Sequence, residues 1–225
     1  MEFFNNSVFF GVMLSLLAYG IGALLKQRFK LAIFNPLLIA VIIVIAVLTV
    51  SGIDYKVYNE GAKYISYLLT PATICLAIPL YEQFELLKAI AVGIFSGVLA
   101  SLGSILAMAV LFGFTHQEYV SFLPKSITTA IGMGISEELG GYVSITVAII
   151  VLTGVLGNMC AESVCKLFKI EEPIAKGIAI GTASHAIGTS KAMELGDIEG
   201  AMSSLSIVVS GLITVIGASV FAQFM

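Results

Sequence analysis

The chain has 225 residues, 59% hydrophobic and 11% charged, with a formal net charge of −3 and a mean hydropathy of +1.05. Soluble domains carry about a quarter charged residues, so this composition cannot cover itself in water and reads as a polytopic membrane protein. It offers no basic patch for nucleic acid, and the small net charge is uninformative because placement matters more than the sum in a membrane protein.

In chain order, the start MEFFNNSVFF is acidic and lacks a basic region, so the first apolar run is expected to be retained rather than cleaved as a signal peptide. The runs 7–25, 31–50, 89–113, 142–165 and 198–224 are nearly free of charge and have about the length that crosses a bilayer. The run 62–80 is a further crossing, interrupted by Pro71 and Pro79. Asn35-Pro36 reads as a helix start, and Gly93-x-x-x-Gly97 as a small-residue packing face. Two more stretches, 121–139 and 174–195, are apolar yet too dense in Gly, Ser and Thr for lipid-facing helices. The longest polar connection is 51–61, which leaves no room for a soluble domain. Residues 1–225 therefore predict one all-α polytopic membrane domain, with about six spanning helices plus two glycine-rich re-entrant or broken-helix elements. Cys75, Cys160 and Cys165 lack CxxC spacing and read as small core residues, neither disulfide nor metal ligands.

The two polar stretches are related to each other. Residues 126–140, SITTAIGMGISEELG, align without a gap on 182–196, TASHAIGTSKAMELG, sharing Ala-Ile-Gly and then Glu-Leu-Gly. Ser126 falls on Thr182, Thr128 on Ser184, Thr129 on His185 and Glu138 on Glu194. With the apolar helix that follows each, the repeat spans 121–165 and 177–221, and a fainter third copy covers 73–113. Internal repeats around interrupted helices are a mark of secondary transporters. Lys26, Arg28 and Lys30, like Lys166 and Lys169, favour the cytoplasm under the positive-inside rule. The stretch 121–139 must then enter from outside and return, and 174–195 must enter from the cytoplasm and return, as an inverted pair. The alternative is that both span fully, giving eight plain crossings and leaving Lys166 and Lys169 outside.

Intramembrane ionisable groups are functional candidates by default, which singles out His185 and Lys191. Ser126, Thr128, Thr129, Thr182, Ser184, Thr189 and Ser190 offer hydroxyls to a carboxylate, and Gly132, Gly134, Gly181 and Gly188 allow close backbone approach. The competing reading is that the hydroxyls bond carbonyls one turn back, the glycines pack helices and His185 is a satisfied core residue. The functional reading places His185 at the tip of the cytoplasmic element, opposite Thr129, where a small anion meets exposed helix-end amides. Glu137, Glu138 and Glu194 read as structural caps, and Asn158 and Glu162, one turn apart, fit a helix contact as well as a functional role. Enzyme readings fail on spacing. There is no G-x-S-x-G elbow, no H-E-x-x-H and no pair of histidines placed to share a metal, so neither metal nor other cofactor is expected.

The blocks NPLLIA (35–40), TPATICLAIPLYEQ (70–83), LPKSITTAIGMGISEELGG (123–141) and GTASHAIGTSKAMELGDIEGAMSSLS (181–206) resemble the LrgB/CidB family of bacterial inner-membrane proteins, essentially over the full length. That resemblance implies two things. One is antiholin-like regulation of murein hydrolase activity and cell lysis with a small LrgA/CidA-type membrane partner. The other, from relatives linked to pyruvate uptake or to glycolate/glycerate exchange in plastids, is carriage of small hydroxy- or keto-monocarboxylates. The repeat favours a carrier of small organic anions, proton- or cation-coupled, because a lysis regulator has no need of two polar elements facing each other across the membrane. The bilayer and a small organic anion are then its partners, with assembly into a homo-oligomer left open.

Overall fold

A bilayer core leaves the backbone no hydrogen-bond partner but itself, so the apolar runs must be helical. The computed structural model describes residues 9–29, 34–68, 71 and 84–225, with backbone alone over 84–89. Its helices are α1 Phe10–Phe29, α2 Pro36–Ser51, α3 Tyr55–Ser66, α4 Phe84–Phe112, α5 His116–Phe122, α6 Thr129–Glu138, α7 Val143–Leu167, α8 Pro173–Leu195 and α9 Asp197–Phe221, the last closing in a 3-10 turn. The described residues contain no strand. Among the described residues four segments, Phe10–Phe29, Ile90–Phe112, Val143–Leu167 and Asp197–Phe224, are long and apolar enough to cross a membrane. Val92, Phe95 and Leu111 on α4 and Leu152 and Leu156 on α7 stand exposed, as side chains do where the neighbour is lipid.

The chain divides into two compact units, residues 1–74 and 75–225. In the first, the Asn35 side chain accepts from the amides of Leu37 at 2.9 Å and Leu38 at 3.2 Å, starting α2 with Pro36 in its first turn. The second apolar run thus begins its helix at Pro36, later than 31. Asp54 caps α3 by accepting from the Lys56 amide at 2.7 Å. The polar connection expected at 51–61 is therefore mostly helix, held to α1 by a 2.8 Å bond between the Ser15 and Tyr58 hydroxyls. Apart from Pro71, residues 69–83 lie outside the described residues, and with them Pro79 and the first part of the faint third copy.

In the second unit each polar stretch folds back on itself. At the start of α7 its N-cap Tyr142 meets Gln117 and Ser121, and Thr146 meets both the Ser121 carbonyl and the Ser136 hydroxyl. One turn further, Ile150 packs on Gly132. Residue numbers rise along α5 and fall along α6 as α7 advances, so α5 and α6 are the antiparallel arms of a hairpin with its tip at 123–128. α8 repeats the pattern within one element. Its Gly177 lies against Glu199 and Met202 of α9, and Gly181 against Ser203. Beyond the tip, Thr189 bonds the Ser203 hydroxyl at 2.7 Å and Met193 packs on Gly200. Ile180 also lies against Gly188 across the two arms. The chain reverses at Ser184 (φ −136°, ψ 17°) and His185 (φ 43°, ψ −145°).

The open ends of the hairpins lie at different ends of the helices they pack on. The Tyr119 hydroxyl donates to the Phe221 carbonyl at 3.0 Å, and His116 Nδ1 lies 2.6 Å from the Met225 carbonyl. The first hairpin therefore opens beside the end of α9. Lys191 pairs with Glu162 at 3.3 Å, so the second opens beside the end of α7, where α9 also begins.

Candidate functional site: a cavity at the first hairpin tip

Broken helices expose backbone groups, and a fold tolerates them at membrane depth only where protein or a cavity surrounds them. Around the second tip, the protein surrounds them closely. His185 has a positive φ, which costs a non-glycine residue of order 1–3 kcal/mol, and its ring bonds the Ile150 carbonyl at 3.0 Å. Since a carbonyl only accepts, Nε2 carries the proton. The α7 backbone is open to the ring because Gly154 has no side chain; a Cβ there would sit 2.7 Å from His185 Cε1. Gly157, one turn on, leaves the space that Ser184 fills. Asn158 then donates to the Ile187 carbonyl at 2.9 Å and to the Ser190 hydroxyl at 2.8 Å. His185 and Ser184 are buried, at 3% and 2% exposure.

The first tip is different. It borders a cavity of about 560 Å³ walled by Gly93, Gly97, Ala100, Ser101 and Ser104 of α4, by Lys125 and Ser126, and by the first arm of α8 through Ala175, Ile178, Ala179, Thr182 and Ala183. Lys125 Nζ donates to Ser126 Oγ at 2.9 Å and to Ser101 Oγ at 3.1 Å, and the two hydroxyls are 3.0 Å apart. Among the described residues no carboxylate lies within ion-pairing distance of this ammonium. One cation, clustered hydroxyls and an otherwise apolar wall make a receptacle suited to a small anion.

The sequence-selected residues separate into groups. Ser126 and Thr182 line the cavity. Thr128 precedes the first turn of α6, and its buried hydroxyl has no hydrogen-bond partner among the described residues; Thr129 opens that helix. Gly132 packs on Ile150, and Gly188 on Ser184. The Thr189 hydroxyl donates to the His185 carbonyl at 3.0 Å, and that of Ser190 to the Ile187 carbonyl at 2.7 Å. Thr182 and Ser184 likewise donate one turn back, to Ile178 and Ile180, the local bonding that competes with a ligand role. Lys191 sits at the open end of its hairpin between Glu162 and Glu194. Sequence reasoning missed Lys125, although it directly precedes Ser126, and it missed Ser101, which lay inside an apparently plain spanning helix. Gly154 and Gly157 were also missed; their G-x-x-G spacing on one face of α7 was the available signal.

The chain matches the model of the LrgB-like family over residues 15–224. It is similar to proteins named antiholin-like protein LrgB from Bacillus cereus (strains B4264 and AH187) and Bacillus anthracis (strain CDC 684 / NRRL 3495), each 39% identical over 96% of both chains. No solved structure matches it.

Proposed function

The chain belongs to the LrgB-like family, and from that premise we propose that it is a secondary carrier of small organic monocarboxylates in the bacterial inner membrane, coupled to protons or another cation. The observation that carries this reading is the cavity that the first hairpin tip shares with the first arm of the second, with Ser126 and Thr182 on its wall. In the gapless alignment α6 starts at Thr129 and the break in α8 falls on its counterpart His185. Opposed open ends support an inverted repeat of two re-entrant hairpins, the arrangement in which secondary transporters hold substrate at mid-depth. In this reading Thr128, Thr129, Ser184 and His185 face the substrate path when the tips part, and His185 takes the coupling proton. The test is uptake of labelled pyruvate, glycolate and glycerate into proteoliposomes, with and without a pH gradient. Uptake that rises with an inward proton gradient is expected; none for any of the three would reject carriage.

The names of the relatives favour a second reading, an antiholin-like regulator of a holin-type pore and, indirectly, of murein hydrolases and lysis. It would act with a small LrgA/CidA-type membrane partner. Lysis control that survives in a transport-dead variant would separate this role from carriage.

A further inference from the structure

We infer that Lys125, Ser101 and Ser126 form the anion-holding end of the cavity and take a single carboxylate whose short apolar body lies along Gly97, Ala100 and Ala179. The inference rests on the carrier reading for its place in transport, although binding itself can be measured apart from transport. Three observations carry it.

First, Lys125 has two hydroxyl partners and no acidic one among the described residues. Lys125 is half-buried, and an ammonium that loses part of its hydration without a counter-charge is destabilised; a bound anion supplies that charge. Second, Ser101 and Ser126 lie 3.0 Å apart, both within 3.1 Å of Nζ. A hydroxyl rotates freely between accepting and donating, so both can turn from the ammonium to donate to an arriving carboxylate beside it. Third, among the described residues the remaining wall is Gly, Ala and Ile, with only Ser104 and Thr182 adding polar atoms. Both donate to carbonyls of their own helices, so neither offers a further donor to a second carboxylate. One cation matches one negative charge. A second carboxylate would be buried unpaired, so the site discriminates against dicarboxylates.

The test uses the purified full chain in detergent. The modification rate of Lys125 by an amine-reactive acylating reagent is followed by mass spectrometry with pyruvate, with succinate and with neither. Pyruvate is expected to slow modification of Lys125 at least about fivefold and succinate to have little effect, while exposed Lys166 reacts equally throughout. Lys125→Met should weaken pyruvate binding by about ten- to a hundredfold, the range for a hydrogen bond to a charged group, and Lys125→Arg should lose less. Unprotected Lys125 in the wild-type chain, or pyruvate affinity unchanged in a folded Lys125→Met protein, would overturn the assignment. The outcomes also distinguish this site from the carrier reading. Transport without protection of Lys125 leaves a carrier with its site elsewhere; protection without transport leaves a binding site in a protein that does not carry.

Discussion

Ser126 and Thr182 stand at equivalent positions of the two aligned stretches and line the same cavity. They come from different hairpins, whose open ends lie beside α9's end and α7's end respectively. In the proposed carrier these two positions would lie on the substrate path, reached from opposite faces of the membrane in turn.

Topology follows from that arrangement. Single cysteines at 114–120 or at the C-terminus should react with an impermeant thiol reagent from one side of the membrane, and cysteines at 166–171 only from the other. The contact of His116 with Met225 already puts the first pair at one end. Labelling of 114–120 and 166–171 from the same side would indicate eight plain crossings instead.

Filling the notch on α7 should dislodge the second tip. A side chain at Gly157 overlaps Ser184, and one at Gly154 meets His185. Gly157→Val is expected to cost about 1–3 kcal/mol, the usual penalty for overpacking. The unfolding midpoint should fall by about 2–4 °C per kcal/mol for a chain of this size. An unchanged midpoint in detergent would mean that the tip has room to shift.

Replacing His185 by Gln keeps a donor for the Ile150 carbonyl but removes the titration. If His185 carries the coupling proton, uptake by the variant should lose its pH dependence while the protein still folds. Unchanged rate and pH profile would make it a packing residue.

Outside the membrane segments, Glu118 and Thr115 cap each other at the start of α5. The Thr115 amide and then its hydroxyl hold the Glu118 carboxyl below the usual carboxylate range. A group depressed in this way stabilises the fold above its ordinary pKa, and that contribution is lost as pH falls through the lower folded value. Hydrogen exchange at the first amides of α5 should therefore show less protection in acid than exchange chemistry alone predicts. Glu118→Gln should remove that difference.

Much of this was legible in the sequence, and for a definite reason. A break at Ser184-His185 was readable because glycines and hydroxyls are expensive on a lipid face, and the alignment with Thr128-Thr129 marked the same place twice. Asn35 as a cap was readable from Pro36 beside it. The chemistry of Lys125 was not, because it depends on Ser101, a residue 24 positions earlier on a helix whose composition looked like plain lipid-facing span. Lys191 has a partner that the sequence did not show. Its cost in low dielectric is offset by Glu162, which only the packing of α7 against α8 brings within 3.3 Å.

Ile150 touches both hairpins: its side chain packs against Gly132, and its carbonyl accepts from His185. The two tips therefore share one bearing on α7. If the protein is the proposed carrier, a rotation of that helix about its own axis would disturb both contacts at once, so α7 would work like the shaft of a lock with two doors, with no ligand to carry the message. Variants at Ile150 that alter only side-chain bulk should thus change motion at both faces of the membrane together.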